Sequence, residues 1–217
     1  LTAIQKKAEN DYLLDIAKHL SHSYDTVLLK GGNVVNVLDK TLLKNTDVLL
    51  KQGKIVAVGT GLTAPSAAKV VDVKGKTLVP GLWDMHGHLS KNDGLLNIAA
   101  GVTSVRDIGN NHDNIMEIDR LFNTDELIGN HVYRAGFFDK QSEYSAGLSV
   151  NSLAEAHEKI DWFADNGYLQ IKIYSSIDPK WVKPIAEHAH HRGMRLSGHV
   201  PAFMTAQQAV DAGFDEI

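Results

Sequence analysis

The chain has 217 residues, with 22 basic and 26 acidic side chains, a formal net charge of −4, 43% hydrophobic residues and no cysteine. This composition suits one large domain or a small one beside a medium one, and the missing thiols exclude disulfides, thiolate metal sites and cysteine nucleophiles, so any metal must use His, carboxylate or a rarer ligand. A mildly acidic balance without a basic cluster argues against a nucleic-acid surface, and no apolar run approaches the roughly 18–20 residues that span a bilayer, which leaves small-molecule chemistry as the leading class.

Residues 1–10 carry no signal-peptide pattern and the chain begins with Leu1, so the compartment stays open: cytoplasm or, had a leader been removed, periplasm or exterior. Ile4, Ala8, Leu13, Ile16, Ala17 and Leu20 recur at three- and four-residue steps, which predicts an amphipathic helix ending near His22, an arm over residues 1–24. From Thr26 the grammar changes to short Val/Leu/Ile runs at 27–29, 34–38, 48–50, 55–58 and 70–73. With Gly31-Gly32 and Gln52-Gly53 as turns, these predict a small β-rich domain over 25–75.

After Gly75 strands and helices alternate. Strands are predicted at 78–84, 104–107, 132–135, 171–174, 195–199 and 214–217. Ser152 with Glu155 reads as a capping box whose helix stops before Gly167. Asp178-Pro179 opens a second helix, interrupted by Pro184 and followed by Gly193, and Thr205 with Gln208 opens a third that closes at Gly213. Serial βα units imply parallel strands, in a closed barrel or a doubly wound sheet, and no Gly-x-Gly-x-x-Gly supports a dinucleotide version.

Eleven histidines make the H-x-H spelling alone uninformative, and the chain has two, His86-Gly87-His88 and His188-Ala189-His190. On a strand, residues two apart share a face, so one cation could take His86 and His88. On a helix they diverge by about 200°, so His188 and His190 cannot share an ion and are assigned, with His191, to a solvated helix end. Alternation sends Ile171 and Ile173 outward and Lys172 and Tyr174 inward, and places Ser197 and His199 inward at the end of the next strand. An inward lysine is costly unless it is paired with an unseen carboxylate or neutralised by carbon dioxide, which turns it into an anionic carbamate ligand. Three strands thus deliver a His pair, a Lys and a His to one rim, the end where barrel active sites are built.

These residues resemble a known family. Residues 79–89, Val-Pro-Gly-Leu-Trp-Asp-Met-His-Gly-His-Leu, look like the first barrel strand of the amidohydrolase superfamily. Gly101–Asp107, the Ile-Lys-Ile-Tyr strand and Ser197-Gly198-His199-Val200-Pro201 are similar to its imidazolonepropionase-like and prolidase-like branch. The resemblance implies a (β/α)8 TIM barrel over 76–217 that is truncated after about five βα units, with a small N-terminal β-sandwich-like domain whose second sheet takes strands from beyond the barrel and is expected to be incomplete. It implies His86, His88, Lys172 and His199 as ligands of one or two zinc ions, manganese or iron being alternatives, and hydrolysis of an amide, cyclic amide or dipeptide C–N bond by a metal-activated hydroxide.

The family's sixth-strand His and eighth-strand Asp have no counterpart, so no catalytic proton shuttle is assignable and the chain is expected to be part of a longer enzyme. An open barrel would expose strand edges, to be covered by a homo-oligomer or by the remainder of the parent polypeptide. Residues 136–151 are expected to form a long loop over the rim, with Tyr144 and Tyr174 as candidate substrate contacts. Arg106 and Arg134 could hold a substrate carboxylate or make internal ion pairs. The alternatives are a single-metal deaminase, which would not need Lys172, and a non-catalytic barrel used for binding or assembly.

Overall fold

The structure, a computed structural model, describes residues 2–217. The chain divides into one unit of residues up to His19 with Leu82–Ile217, and a second of Leu20–Gly81. Helix α1 (Thr2–Leu20) buries only Ala17, with Leu13 packed against the core of the first unit, and leaves Ile4, Tyr12 and Leu20 in water.

In the second unit, β1 (Thr26–Asn36), β2 (Thr41–Lys51), β3 (Lys54–Gly59), β4 (Lys69–Asp72) and β5 (Thr77–Leu78) form one five-stranded mixed sheet in the order β3-β2-β1-β4. β5 adds in parallel to β1, which carries this unit past the expected boundary at residue 75 to Gly81. Gln52-Gly53 turns as expected, both residues having positive φ, the primed geometry that matches strand twist.

Gly31-Gly32 does not turn. β1 runs straight through it, with register shifts on either side of Gly32 and φ 75° at Gly31, a bulge rather than a hairpin. The cause is long-range: buried Asp47 on β2 accepts the Gly31 N–H at 2.8 Å and the Leu62 N–H at 3.0 Å. The Gly31 bond is the largest reason its carboxyl is held below the usual aspartate range. Among the described residues this unit is a single five-stranded sheet, one layer of the expected incomplete sandwich.

The first unit is the βα alternation. Strands β6 (Leu82–Gly87), β7 (Val102–Asp107), β8 (His131–Lys140), β10 (Gln170–Ile173) and β11 (Arg195–Gly198) pair in parallel in the order β11-β10-β8-β7-β6, with β9 (Leu148–Val150) alongside β8. Helices α2 (Asp93–Ala99), α3 (His112–Asn123), α4 (Leu153–Asp165), α5 (Pro179–His191) and α6 (Ala206–Asp211) follow the five principal strands. The sheet is a curled, open half-barrel, and a parallel bridge from Ser197 to Glu216 begins one more pairing.

The helices cover the sheet through residues spaced by three and four: α5 buries Val182, Ile185, Ala186 and Ala189, and α3 buries Ile115, Ile118, Leu121 and Phe122. Against them lie Val105, Phe138, Ile171, Ile173 and Leu196 from the strands, all fully buried. Burial of each such side chain stabilises by about 1.5–3 kcal/mol.

Three expectations change. The first barrel strand starts at Leu82, because Pro80-Gly81 separates it from β5. The expected loop at 136–151 shrinks to 141–147, because β8 continues through Phe137, Phe138 and Asp139 and residues 148–150 are β9. Glu155 completes only half a capping box: Ser152 accepts its N–H at 3.1 Å, but its carboxylate takes the Asn151 N–H at 2.8 Å. The Thr205 and Gln208 box is reciprocal.

Candidate metal centre

The C-terminal end of β6 presents His86 and His88 around Gly87, where a Cβ would meet Val105 at 2.5 Å, so this close strand pairing needs a glycine. The two rings sit edge to face, 5.4 Å apart. His88 is oriented by a 2.8 Å hydrogen bond between Nδ1 and the Gly109 carbonyl. Gly109 is itself fixed by Asp107, whose buried carboxylate accepts the N–H groups of Leu89 (2.7 Å) and Gly109 (3.2 Å). Asp84 likewise accepts the His86 N–H at 2.9 Å. Both acids near the His pair therefore hold backbone in place.

Lys172, in the middle of β10, is only 3% exposed, with its amine 5.2 Å from the centre of the Phe137 ring. Among the described residues it has no hydrogen-bond or ion-pair partner. Burial pushes its pKa down, opposed by the charge of Asp107. His199 follows β11 directly; its N–H donates to the Ile173 carbonyl at 3.1 Å and its ring packs on Tyr174 at 4.0 Å. His86 and His199 each keep an open face, yet their pKa values are pushed down, first by partial burial and then by the neighbouring Lys172 charge.

His86, Lys172, Ser197, His199 and Glu216 line one cavity of about 380 Å³. The alternation rule thus placed Lys172 and His199 on one wall with His86, and His88 stands beside them. No three His, Cys, Asp or Glu side chains among the described residues are grouped closely enough to hold an ion; this cavity is lined by the imidazoles of His86 and His199, the Lys172 amine, the Ser197 hydroxyl and the Glu216 carboxylate, which Arg106 holds. Tyr174 reaches the site through His199. Tyr144 does not: it lies on the 141–147 loop, 76% exposed, beside a separate hollow.

Two participants escaped the sequence. Phe137 lies under the lysine, and Asp139, fully buried at the end of β8, accepts the N–H groups of Lys140 (2.9 Å) and Ser176 (3.0 Å) and leaves Oδ2 unpartnered. Burial pushes the Asp139 carboxyl up. An aspartate closing the apolar run Ala-Gly-Phe-Phe was the available signal.

No family model matches the chain. Over 66 residues, 29% of this chain and 15% of the relative, it is 44% identical to a dihydroorotase of Geobacter sulfurreducens. Over 66 residues, 30% of this chain and 15% of the relative, it is 39% identical to a 5'-deoxyadenosine deaminase of Methanobrevibacter smithii. A prolidase solved with N-methylphosphonate-L-proline matches with a TM-score of 0.69 and 18% identity, over 87% of this chain and 59% of that one. A bottromycin amidohydrolase matches with 0.73 and 17%, over 93% and 44%. These matches support the amidohydrolase superfamily. The chain spans about half the length of these solved structures, which at such identities share its fold.

In this chain Arg106 and Arg134 are committed internally. Buried Arg106 donates to the Met85 carbonyl at 2.8 Å and grips both carboxylate oxygens of Glu216, while Gln170 links on to Ser197 at 3.1 Å. Arg134 lies 3.5 Å from Asp119 and over the Tyr168 ring at 4.8 Å. Among the described residues no helix is long and apolar enough to cross a membrane.

The second H-x-H pair is helical and diverges as expected, but its histidines are not simply solvated. His188 contacts Asp161 at 2.9 Å and stacks on His157 at 4.3 Å, while His190 contacts Asp215 at 2.9 Å. Burial, then the His188 charge, pushes the His157 pKa down, and Asp161 is held low by His188 and Arg192. The unfolded chain therefore takes up the His157 proton first as pH falls, so stability is lost from the ordinary imidazole value, about 6.5, downward. The Asp161 contribution is present above the ordinary aspartate value and is lost as pH falls through its lowered one. Melting curves from pH 8 to 3 are expected to show both losses, and His157→Phe to shrink the upper one alone; an unchanged upper loss would reject this assignment.

Proposed function

We propose that this chain is part of an amidohydrolase-superfamily enzyme that hydrolyses a C–N bond of an amide, cyclic amide or dipeptide in a metal-dependent reaction. His86, His88, Lys172 and His199 would hold one or two divalent cations, zinc first, with manganese or iron as substitutes. The observation that carries this reading is Lys172, a buried amine without a partner among the described residues, opening on the cavity that His86 and His199 also line.

The donor chemistry fits a cation. With Nδ1–H given to the Gly109 carbonyl, His88 keeps the Nε2 lone pair free, the arrangement usual for a ligating imidazole. The lowered pKa values of His86 and His199 favour the neutral, ligating form. An ammonium at Lys172 would repel a cation. Addition of its neutral amine to carbon dioxide forms an N–C bond, releases one proton, and leaves an anionic oxygen donor.

A bound divalent cation supplies Lewis acidity toward the scissile carbonyl and acidifies a coordinated water. The chain's own part is placement. Gly109 sets the His88 tautomer, Asp107 holds the loop that carries Gly109, the Phe137 ring keeps water from one side of the Lys172 amine, and Tyr174 packs against His199. Arg106 is committed to Glu216, so a substrate carboxylate must find another partner. The substrate is a small molecule. The relatives' names, dihydroorotase and prolidase, support hydrolysis at C–N bonds, and the deaminase among them keeps single-metal deamination as the second reading.

Titrating the metal-free full-length protein with zinc or manganese and assaying N-acyl-amino acids, dipeptides and cyclic amides tests this. About two ions per chain with hydrolysis is the expected result. About one ion with ammonia release from an amino-purine would move the assignment to deamination, and no ion bound with no turnover would overturn it.

A further inference from the structure

Arg106 lies on β7 and is only 7% exposed, yet its guanidinium reaches three other segments. Nε donates to the Met85 carbonyl on β6 at 2.8 Å, Nη1 to Gln170 Oε1 on β10 at 3.5 Å and to Glu216 Oε2 at 2.6 Å, and Nη2 to Glu216 Oε1. Gln170 carries the connection on to β11: its Nε2 donates to Ser197 Oγ at 3.1 Å, and Ser197 Oγ donates to the Ile171 carbonyl at 3.2 Å. The backbone ladder does not make these links. In the order β11-β10-β8-β7-β6, β8 separates β7 from β10, and the Ser197–Glu216 bridge adds residues 214–217 beyond β11, at the end opposite β6. The side chain of Arg106 is therefore a chord across the open curl, joining β6 and β7 at one end of the sheet to the segment beyond the other.

Each attachment point adjoins a member of the candidate metal centre. Met85 precedes His86, Gln170 is two residues before Lys172 and so on its face of β10, and Ser197 is two residues before His199. Ser197 and Glu216 also line the cavity together with His86, Lys172 and His199. Ladder pairing fixes the spacing of neighbouring strands, but the curl of an open sheet sets the gap between His86 at one end and His199 at the other. Metal–ligand distances are held to within about 0.2 Å, so that gap must be fixed. We infer that Arg106 and Glu216 form a positioning pair that holds the curl of the sheet and thereby the spacing of His86, Lys172 and His199, an inference that rests on the metal-dependent reading above. The pair suits this role because Glu216 cancels a guanidinium charge that would oppose a cation in the same interior. A buried ion pair adds little net stability over apolar residues of similar size, whereas its two-pronged geometry fixes direction as well as distance.

The test is zinc binding by the metal-free full-length protein, read by chelator competition, in the parent, in Arg106→Met and in Arg106→Met combined with Glu216→Gln. The combined variant removes both charges and is expected to unfold at the parent's denaturant midpoint, yet to bind zinc about tenfold more weakly, the scale on which supporting groups act on a metal site. Arg106→Met alone is expected to weaken zinc binding too, although it removes a positive charge. Tighter zinc binding in Arg106→Met with parent affinity in the combined variant would reduce the pair to charge balance. Parent affinity in both would reduce it to a structural contact, and either result overturns the inference. Arg106→Lys, which keeps the charge but loses the planar fork, is expected to show the same weakening, and parent affinity there overturns the inference even if the combined variant fails to fold. If the parent binds no zinc, the metal reading falls and amide exchange of the metal-free protein decides the positioning. Faster exchange at residues 85–88, 170–173 and 195–199 in Arg106→Lys, with α3 and α4 still protected, sustains the pair's role; unchanged exchange at those segments overturns it.

Discussion

Lys172→Ala is expected to reduce bound metal to at most one ion per chain and to slow hydrolysis by about 10³-fold or more, the scale of several kcal/mol of lost transition-state stabilisation. The same position should respond oppositely when metal is absent. Lys172 is buried, has no hydrogen-bond or ion-pair partner among the described residues, and its nearest charged influence is Asp107, which is already committed to three loop donors. A buried amine in that position costs folding energy unless something compensates it. Lys172→Met, which keeps the volume and deletes the amine, is therefore expected to leave chelator-treated protein as stable as the parent or about 1 kcal/mol more stable. Metal analysis beside denaturant unfolding separates the two effects. Full metal occupancy in Lys172→Ala, or marked destabilisation of metal-free Lys172→Met, would show that the lysine is a structural residue with a partner of its own.

The sequence made the strand ends of this site readable because period-two alternation is local. Lys172 and His199 each follow from their neighbours, and both face the same cavity as His86. The glycine and cap punctuation of α4, α5 and α6 was equally local, and each helix opens within a residue of its cap. What could not be read depends on distant partners. Gly31-Gly32 looks like a turn until Asp47, on the next strand, takes the Gly31 N–H and lets the strand continue. His188 and His190 look solvated until α4 and the 214–217 segment supply Asp161 and Asp215. The continuation of β8 through Phe137 and Phe138 placed a ring under Lys172 and Asp139 beneath the Ser176 loop, and moved Tyr144 out of the site to which loop length had assigned it. α2 lacked a marker for a plainer reason: its N-cap residue, Asn92, makes no side-chain cap bond, and Asp93 and Ser90 close the turn instead.

Gly198→Ala is expected to be the most disruptive single methyl group in the barrel unit, costing about 3–5 kcal/mol and removing His199 from the cavity. Gly198 has φ 139°, outside the range that side-chain-bearing residues adopt readily. A Cβ there would lie 2.0 Å from the Ile173 carbonyl oxygen and 2.9 Å from the Ile173 N, and both obstacles are backbone of β10, which is paired on both sides. A flexible side chain could move aside; these atoms cannot without breaking the ladder that pairs Ile173 with Gly198 and Lys172 with Ser197. The same oxygen accepts the His199 N–H, so relief of the clash is expected to displace His199 as well. Gly193→Ala is the matched comparison: it also has positive φ, 72°, but nothing lies within 4 Å of its Cβ, so it should cost only about 1 kcal/mol and leave metal binding intact. Denaturant unfolding and zinc affinity of the two variants decide the matter. Equal losses in both would mean that backbone conformation alone dominates and that the close approach of β10 and β11 does not position His199.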